Sequence, residues 1–233
     1  MKRVFILLMF LSLSYILKAQ DTLVDPFLTV KSFTTLEVGV TTTSANSNND
    51  ELGDYNLVKG KNYPTINGGL FYTKTNLLKD QKIIMNVKTG LFLNNNYTDV
   101  TDSLGKAFTF SELNLTIPVM IGIRLPINYN RPQDRFYKAV NLNFGGYVSL
   151  PLLPTLNERG ENTVETEEFT SDYIKFGFIA EIVFTALNKE GKGHRIGLRT
   201  IADLGSVITF SEEKYGIQPT YISVGIFYNF MTF

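Results

Sequence analysis

The last thirteen residues, Tyr221 to Phe233, read Y-I-S-V-G-I-F-Y-N-F-M-T-F, and Ile222, Val224, Ile226, Tyr228 and Phe230 alternate strictly with their neighbours. Period two puts these five side chains on one face of an extended strand. A strand of this kind ending a chain, behind an N-terminal export signal, points to a closed β-barrel in an outer membrane. Phe233 is out of phase with the five, so the strand is expected to end at Phe230, with Met231 to Phe233 as a short overhang.

The export signal is read from residues 1–20. Lys2 and Arg3 precede an apolar run from Val4 to Leu17, and Ala19-Gln20 leads into the polar pair Asp21-Thr22, the layout of a secretory signal peptide cut at Ala19 or Gln20. The run falls short of the about 20 residues a spanning helix needs, and no later apolar run is long enough either. Residues 21–33 then form a periplasmic leader and 34–233 the barrel domain. With no cysteine in the chain, neither a disulfide nor a lipidated cysteine is available. Residues 1–20 hold three basic residues and no acidic one, leaving 19 Lys plus Arg against 22 Asp plus Glu. That balance gives no reason to expect nucleic acid as a partner.

Seven further segments share the alternation. The clearest is Glu112 to Leu125, where Leu113, Leu115, Ile117, Val119, Ile121, Ile123 and Leu125 oppose Glu112, Asn114, Thr116, Pro118, Met120, Gly122 and Arg124. Pro118 has no N–H to donate, so a bulge or local break in the ladder is expected there. The others are Thr34–Thr42, Ile66–Thr73, Lys82–Leu93, Lys138–Leu150, Tyr173–Thr185 and Arg195–Gly205. Eight strands is an even number at the small end for single-chain outer-membrane barrels. The connections 43–62, 94–111, 154–170 and 206–219 are longer than 76–81, 127–136 and 188–193. The expected fold is therefore an all-β, eight-stranded antiparallel transmembrane β-barrel with short periplasmic turns and longer extracellular loops. Tyr97, Tyr137, Tyr173, Tyr221 and Tyr228 could furnish its interface belts. A soluble exported ligand-binding β-barrel is the alternative; the apolar faces, which often run to the strand ends, favour lipid.

At Ser111-Glu-Leu-Asn-Leu-Thr-Ile-Pro-Val-Met-Ile-Gly-Ile-Arg-Leu125 the chain resembles the PorT-like outer-membrane β-barrel family of Bacteroidota. It is similar also at Leu36–Val40, Lys88–Leu93, Phe144–Ser149 and Lys175–Glu181. The resemblance implies a small barrel of about eight strands, inserted by the general barrel assembly machinery. It transfers no secretion role and no catalytic pattern.

The polar faces carry Glu37, Lys88, Glu112, Arg124, Lys175, Glu181, Arg195, Arg199 and Asp203. In a narrow eight-strand lumen such charges must pair or hydrogen-bond, so these nine are expected to form a lumenal charge network that plugs the barrel. His194 is the lone histidine and sits at a turn, and no G-x-S-x-G elbow occurs. The chain thus reads as no enzyme, with no catalytic residue, no cofactor and no metal site. The acidic stretch Glu158, Glu161, Glu165, Glu167, Glu168 and Asp172 reads as a solvated loop, with a basic partner or divalent cations as the functional alternative. The function expected is a scaffold or interaction barrel, with a small pore for ions or small solutes as its rival. Its partners are outer-membrane lipid, the assembly machinery during biogenesis and an unidentified cell-surface or periplasmic protein.

Overall fold

The computed structural model describes residues 32–46, 56–58, 62–77, 84–101, 104–127, 137–158, 167–168, 173–187, 193–209 and 220–232. The segments read as signal peptide and most of the leader lie outside them. Eight long strands carry the fold: β1 (Ser32–Asn46), β3 (Asn62–Leu77), β4 (Ile84–Thr101), β5 (Ala107–Pro126), β6 (Tyr137–Glu158), β8 (Tyr173–Leu187), β9 (Gly193–Thr209) and β10 (Thr220–Thr232). Two short pieces, β2 (Asn56–Leu57) and β7 (Glu167–Glu168), add to β4 and β6. Each long strand pairs antiparallel with the next, and β10 pairs back onto β1, which closes the sheet. Closure leaves no sheet edge along the barrel wall.

Along every long strand one face is buried and the other exposed, in the phase the alternation predicts. The outward face holds large apolar side chains on all eight, among them Val40, Ile66, Val87, Ile121, Phe144, Phe178, Leu198 and Ile226, and exposure reaches 75% at Ile66. The buried face is rich in Thr, Asn, Glu, Lys and Arg. Polar residues inside and apolar ones outside reverse the arrangement of a water-soluble domain. No helix among the described residues is long and apolar enough to cross a membrane, which leaves crossing by strands open.

The lower end of the barrel is where β3 meets β4, β5 meets β6 and β8 meets β9; the other connections lie at the upper end. Strand lengths depart from the sequence reading mainly at the upper end. The connection read as a loop over 94–111 is mostly a long hairpin, since β4 and β5 stay paired up to Thr101↔Ala107. Gly105, with φ of 82°, supplies the left-handed conformation that its turn needs. β6 likewise continues beyond Leu150, through Pro151 and Pro154, by letting Leu152 bulge between Asn114↔Pro151 and Leu113↔Leu153.

Of two other local expectations, the break in the ladder at Pro118 is met without the bulge, and the end of the last strand is corrected. At Pro118 no bulge forms. The β4–β5 pairing passes from Thr89↔Val119 to Phe92↔Thr116 in unchanged register, and the Thr89 hydroxyl donates to the Pro118 carbonyl at 2.8 Å. A missing donor thus interrupts one ladder without shifting it. At the C-terminus, Met231 and Thr232 are not an overhang. They pair with Leu36 and Thr35 beyond a bulge at Phe230, which stays 61% exposed. Phe233 lies outside the described residues.

Candidate functional site

All nine residues read as lumenal charges point into the barrel, in three groups. In the middle, Glu37 of β1, Lys88 of β4, Glu181 of β8 and Arg199 of β9 form one network. The Lys88 Nζ donates to Glu37 Oε1 at 2.7 Å and to Glu181 Oε2 at 2.8 Å. The Arg199 Nε donates to Glu181 Oε1 at 2.7 Å, and its Nη2 donates to Glu37 Oε2. Asn143 adds its amide to Glu181 Oε2 at 3.1 Å. Two cations and two carboxylates thus alternate and carry no net formal charge. Removing any one would leave a partner ionised in a dry interior.

Aromatic rings hold the two cations from the other side. Lys88 Nζ lies 4.4 Å from the Phe71 ring and 5.0 Å from that of Phe227, and the Arg199 guanidinium lies 4.3 Å from Phe227 and 4.7 Å from Phe71. These are cation–π distances. Phe71 and Phe92 then stack at 5.8 Å and join Met120, Tyr147, Ile179 and Ile201 in a buried apolar cluster. This layer crosses the lumen above the network. Gly177 makes room for it, because a Cβ there would come within 2.5 Å of the Tyr147 hydroxyl.

Above the cluster sits the second group. Tyr147 donates its hydroxyl to Asp203, Lys175 donates to Glu112, and the Tyr221 backbone N–H donates to Asp203 Oδ2 at 3.1 Å. Lys175 Nζ also lies 3.9 Å from Asp203 Oδ2 and 4.5 Å from the Tyr221 ring. Tyr221, read as an interface-belt residue, is therefore a lumen residue, 1% exposed. Its phase explains this, since it alternates with the outward-facing Ile222 and Val224. Tyr97 and Tyr228 lie on the outward faces of their strands, and the side chains of Tyr137 and Tyr173 lie outside the described residues. His194 is exposed, with its Nδ1 against the Tyr228 hydroxyl.

The third group, at the lower end, joins Arg124 and Arg195 through Phe33 of β1. The two guanidinium carbons lie 5.7 and 3.8 Å from that ring. Arg124 Nε donates to Asn141 Oδ1 at 2.8 Å, and Asn141 donates onward to Thr185 at 3.2 Å. Arg195 is 2% exposed, and its Nε, Nη1 and Nη2 have no hydrogen-bond acceptor among the described residues.

The lumen aromatics Phe33, Phe71, Phe92 and Phe227 were not identified as site residues from the sequence. The signal was their phase: Phe92 lies four residues from Lys88, and Phe227 an even number from Tyr221, each on the polar face of its strand. Among the described residues no three His, Asp or Glu side chains converge as a metal site would require. Of the acidic stretch, Glu161, Glu165 and Asp172 lie outside the described residues, and Glu167 and Glu168 are described in backbone, paired with Leu156 and Thr155.

No protein-family model matches the chain, and no curated protein does. Similar solved structures include Ail, the attachment invasion locus protein of Yersinia pestis, in complex with the heparin analogue sucrose octasulfate. It is 8% identical, with 86% of this chain and 100% of that chain covered, at a TM-score of 0.35. Another is the outer membrane protein OprG from Pseudomonas aeruginosa, 15% identical, with 86% and 96% covered and a TM-score of 0.37. At that level of agreement neither fixes the role of this barrel.

Proposed function

We infer that the protein is a non-conducting outer-membrane scaffold, a closed barrel that works through its ends and not through its lumen. The observation that carries this reading is the filled interior, in which the Glu37–Lys88–Glu181–Arg199 network lies under the apolar layer of Phe71, Phe92 and Met120. A hydrated ion would have to separate buried ion pairs and then cross an apolar layer in which the Tyr147 hydroxyl is already committed to Asp203. Residence in a bilayer is supported by the outward apolar face of all eight strands, which suits hydrocarbon and would be costly in water. Together with the N-terminal export signal, that face argues for the outer membrane of a bacterium and for insertion by the barrel assembly machinery. We place the chain with the PorT-like barrels of Bacteroidota on the strand Ser111–Leu125, and assign it no part in secretion. Among the described residues the paired hairpin of β4 and β5, flanked by β6, carries the wall furthest at the upper end and is the place for a cell-surface partner.

Ion efflux from vesicles tests the reading. The full chain, folded into vesicles loaded with potassium, is expected to leave efflux at the rate of empty vesicles. Efflux that scales with the amount of folded protein and changes with Lys88→Met would favour the small pore instead.

A further inference from the structure

Buried polar atoms without a hydrogen-bond partner gather in the lower part of the lumen. Arg195 is 2% exposed, and its Nε, Nη1 and Nη2 meet no acceptor among the described residues. Its guanidinium carbon lies 3.8 Å from the centre of the Phe33 ring. The ring attracts the cation but leaves its five N–H donors without a conventional acceptor. The Oδ1 atoms of Asn86, Asn143 and Asn229 are buried as well, with no donor among the described residues. Groups of this kind are costly to leave unpaired in a protein interior. Asn229 stands directly beside Arg195 in the register of β10 and β9.

These four side chains line one partly open cavity of about 20 Å³. A space of roughly 10–15 Å³ is enough for a water. The walls carry both signs of charge, since Glu37 and Lys88 line the cavity along with Arg195, and they favour no ion of either sign. Glu37 and Lys88 are moreover joined to each other at 2.7 Å. What stays unsatisfied is a set of donors on Arg195 and of acceptors on three amides. The occupant must therefore accept and donate within a very small volume, which is the chemistry of water. Arg195 belongs to β9 and the amides to β4, β6 and β10, so water held between them ties together walls that the sheet does not pair.

We propose that the lower part of the lumen is a structural water site, in which water accepts from Arg195 and donates to the amide oxygens of Asn86, Asn143 and Asn229. The cavity is partly open, so this water exchanges with solvent. The interior is thereby divided into a hydrated lower part and the apolar layer above the middle network. The site concerns how the lumen is filled, and it holds whether or not the barrel conducts.

The test reads water at the two buried arginines of β9. In proton–nitrogen correlation spectra of the full chain in lipid nanodiscs, selective excitation of water is expected to give a cross-peak at the Arg195 Nε–H. None is expected at the Arg199 Nε–H, which donates to Glu181 at 2.7 Å. Arg195→Lys assigns the first signal by its loss. Absence of transfer to Arg195, or equal transfer to both arginines, would overturn the site. Should that variant fail to fold, a crystal structure of the wild-type protein decides. An ordered water within about 3.2 Å of both the Arg195 guanidinium and one of the three amide oxygens supports the site, and a cavity that is dry or holds an ion overturns it.

Discussion

The middle of the lumen and its lower end each bury an arginine on the same face of β9, four residues apart and equally hidden at 2% exposure. Arg199 directs Nε and Nη2 at two carboxylates on two other strands, whereas Arg195 lies against the Phe33 ring with no acceptor among the described residues. Burial and alternation are the same for both. What differs is the neighbours: Glu181 of the adjoining β8 and Glu37 of β1 face one guanidinium, whereas Phe33 and Arg124 approach the other. One strand thus carries an arginine tied to two carboxylates and another that rests against an aromatic ring.

The contrast is broken most severely at Glu181, which accepts from both Lys88 and Arg199. Glu181→Ala leaves two cations facing one carboxylate, and is expected to lower stability by about 3–5 kcal/mol, measured as a shift in the urea midpoint by far-UV circular dichroism. A smaller effect is expected from Gly177→Ala, which leaves every charge in place. There the added Cβ would press first on the Ala202 backbone carbonyl oxygen and then on the Tyr147 hydroxyl, 2.5 Å away, for an overpacking cost of about 1–3 kcal/mol in the same measurement. If Gly177→Ala cost as much as Glu181→Ala, close packing and not charge matching would dominate the interior.

Much of the fold was legible because a barrel wall between lipid and a polar lumen imposes period two on every strand. The phase of Glu112–Leu125 or Tyr221–Phe230 therefore assigns both faces at once. The upper extents of β4, β5 and β6 were not legible. There Asn94 to Asn96 lack the apolar partner face, and Pro151 and Pro154 resemble strand ends, although a bulge at Leu152 carries the pairing past them. The nine lumenal charges could be named for the same reason as the strands, but their partners could not. Glu37 and Arg199 lie 162 residues apart in sequence and meet only because β10 pairs with both β1 and β9 when the barrel closes. The two arginines of β9 look alike in a one-dimensional pattern, which does not record strand tilt or the opposite wall. The aromatic layer was overlooked because Phe71, Phe92 and Phe227 are apolar residues in phase with polar ones.

The most direct test of this account sets the two arginines side by side, as Arg199→Met and Arg195→Met, with urea unfolding of each in the same vesicles. Arg199→Met strands Glu37 and Glu181 with a single cation and is expected to cost about 3–5 kcal/mol. Arg195→Met removes an unmatched buried charge and is expected to remain within about 1 kcal/mol of the wild type, since apolar replacement of buried charge is often neutral or stabilising. Equal losses for the two variants, or a larger loss for Arg195→Met, would contradict the reading that charge pairing holds the middle of this lumen and not its lower end.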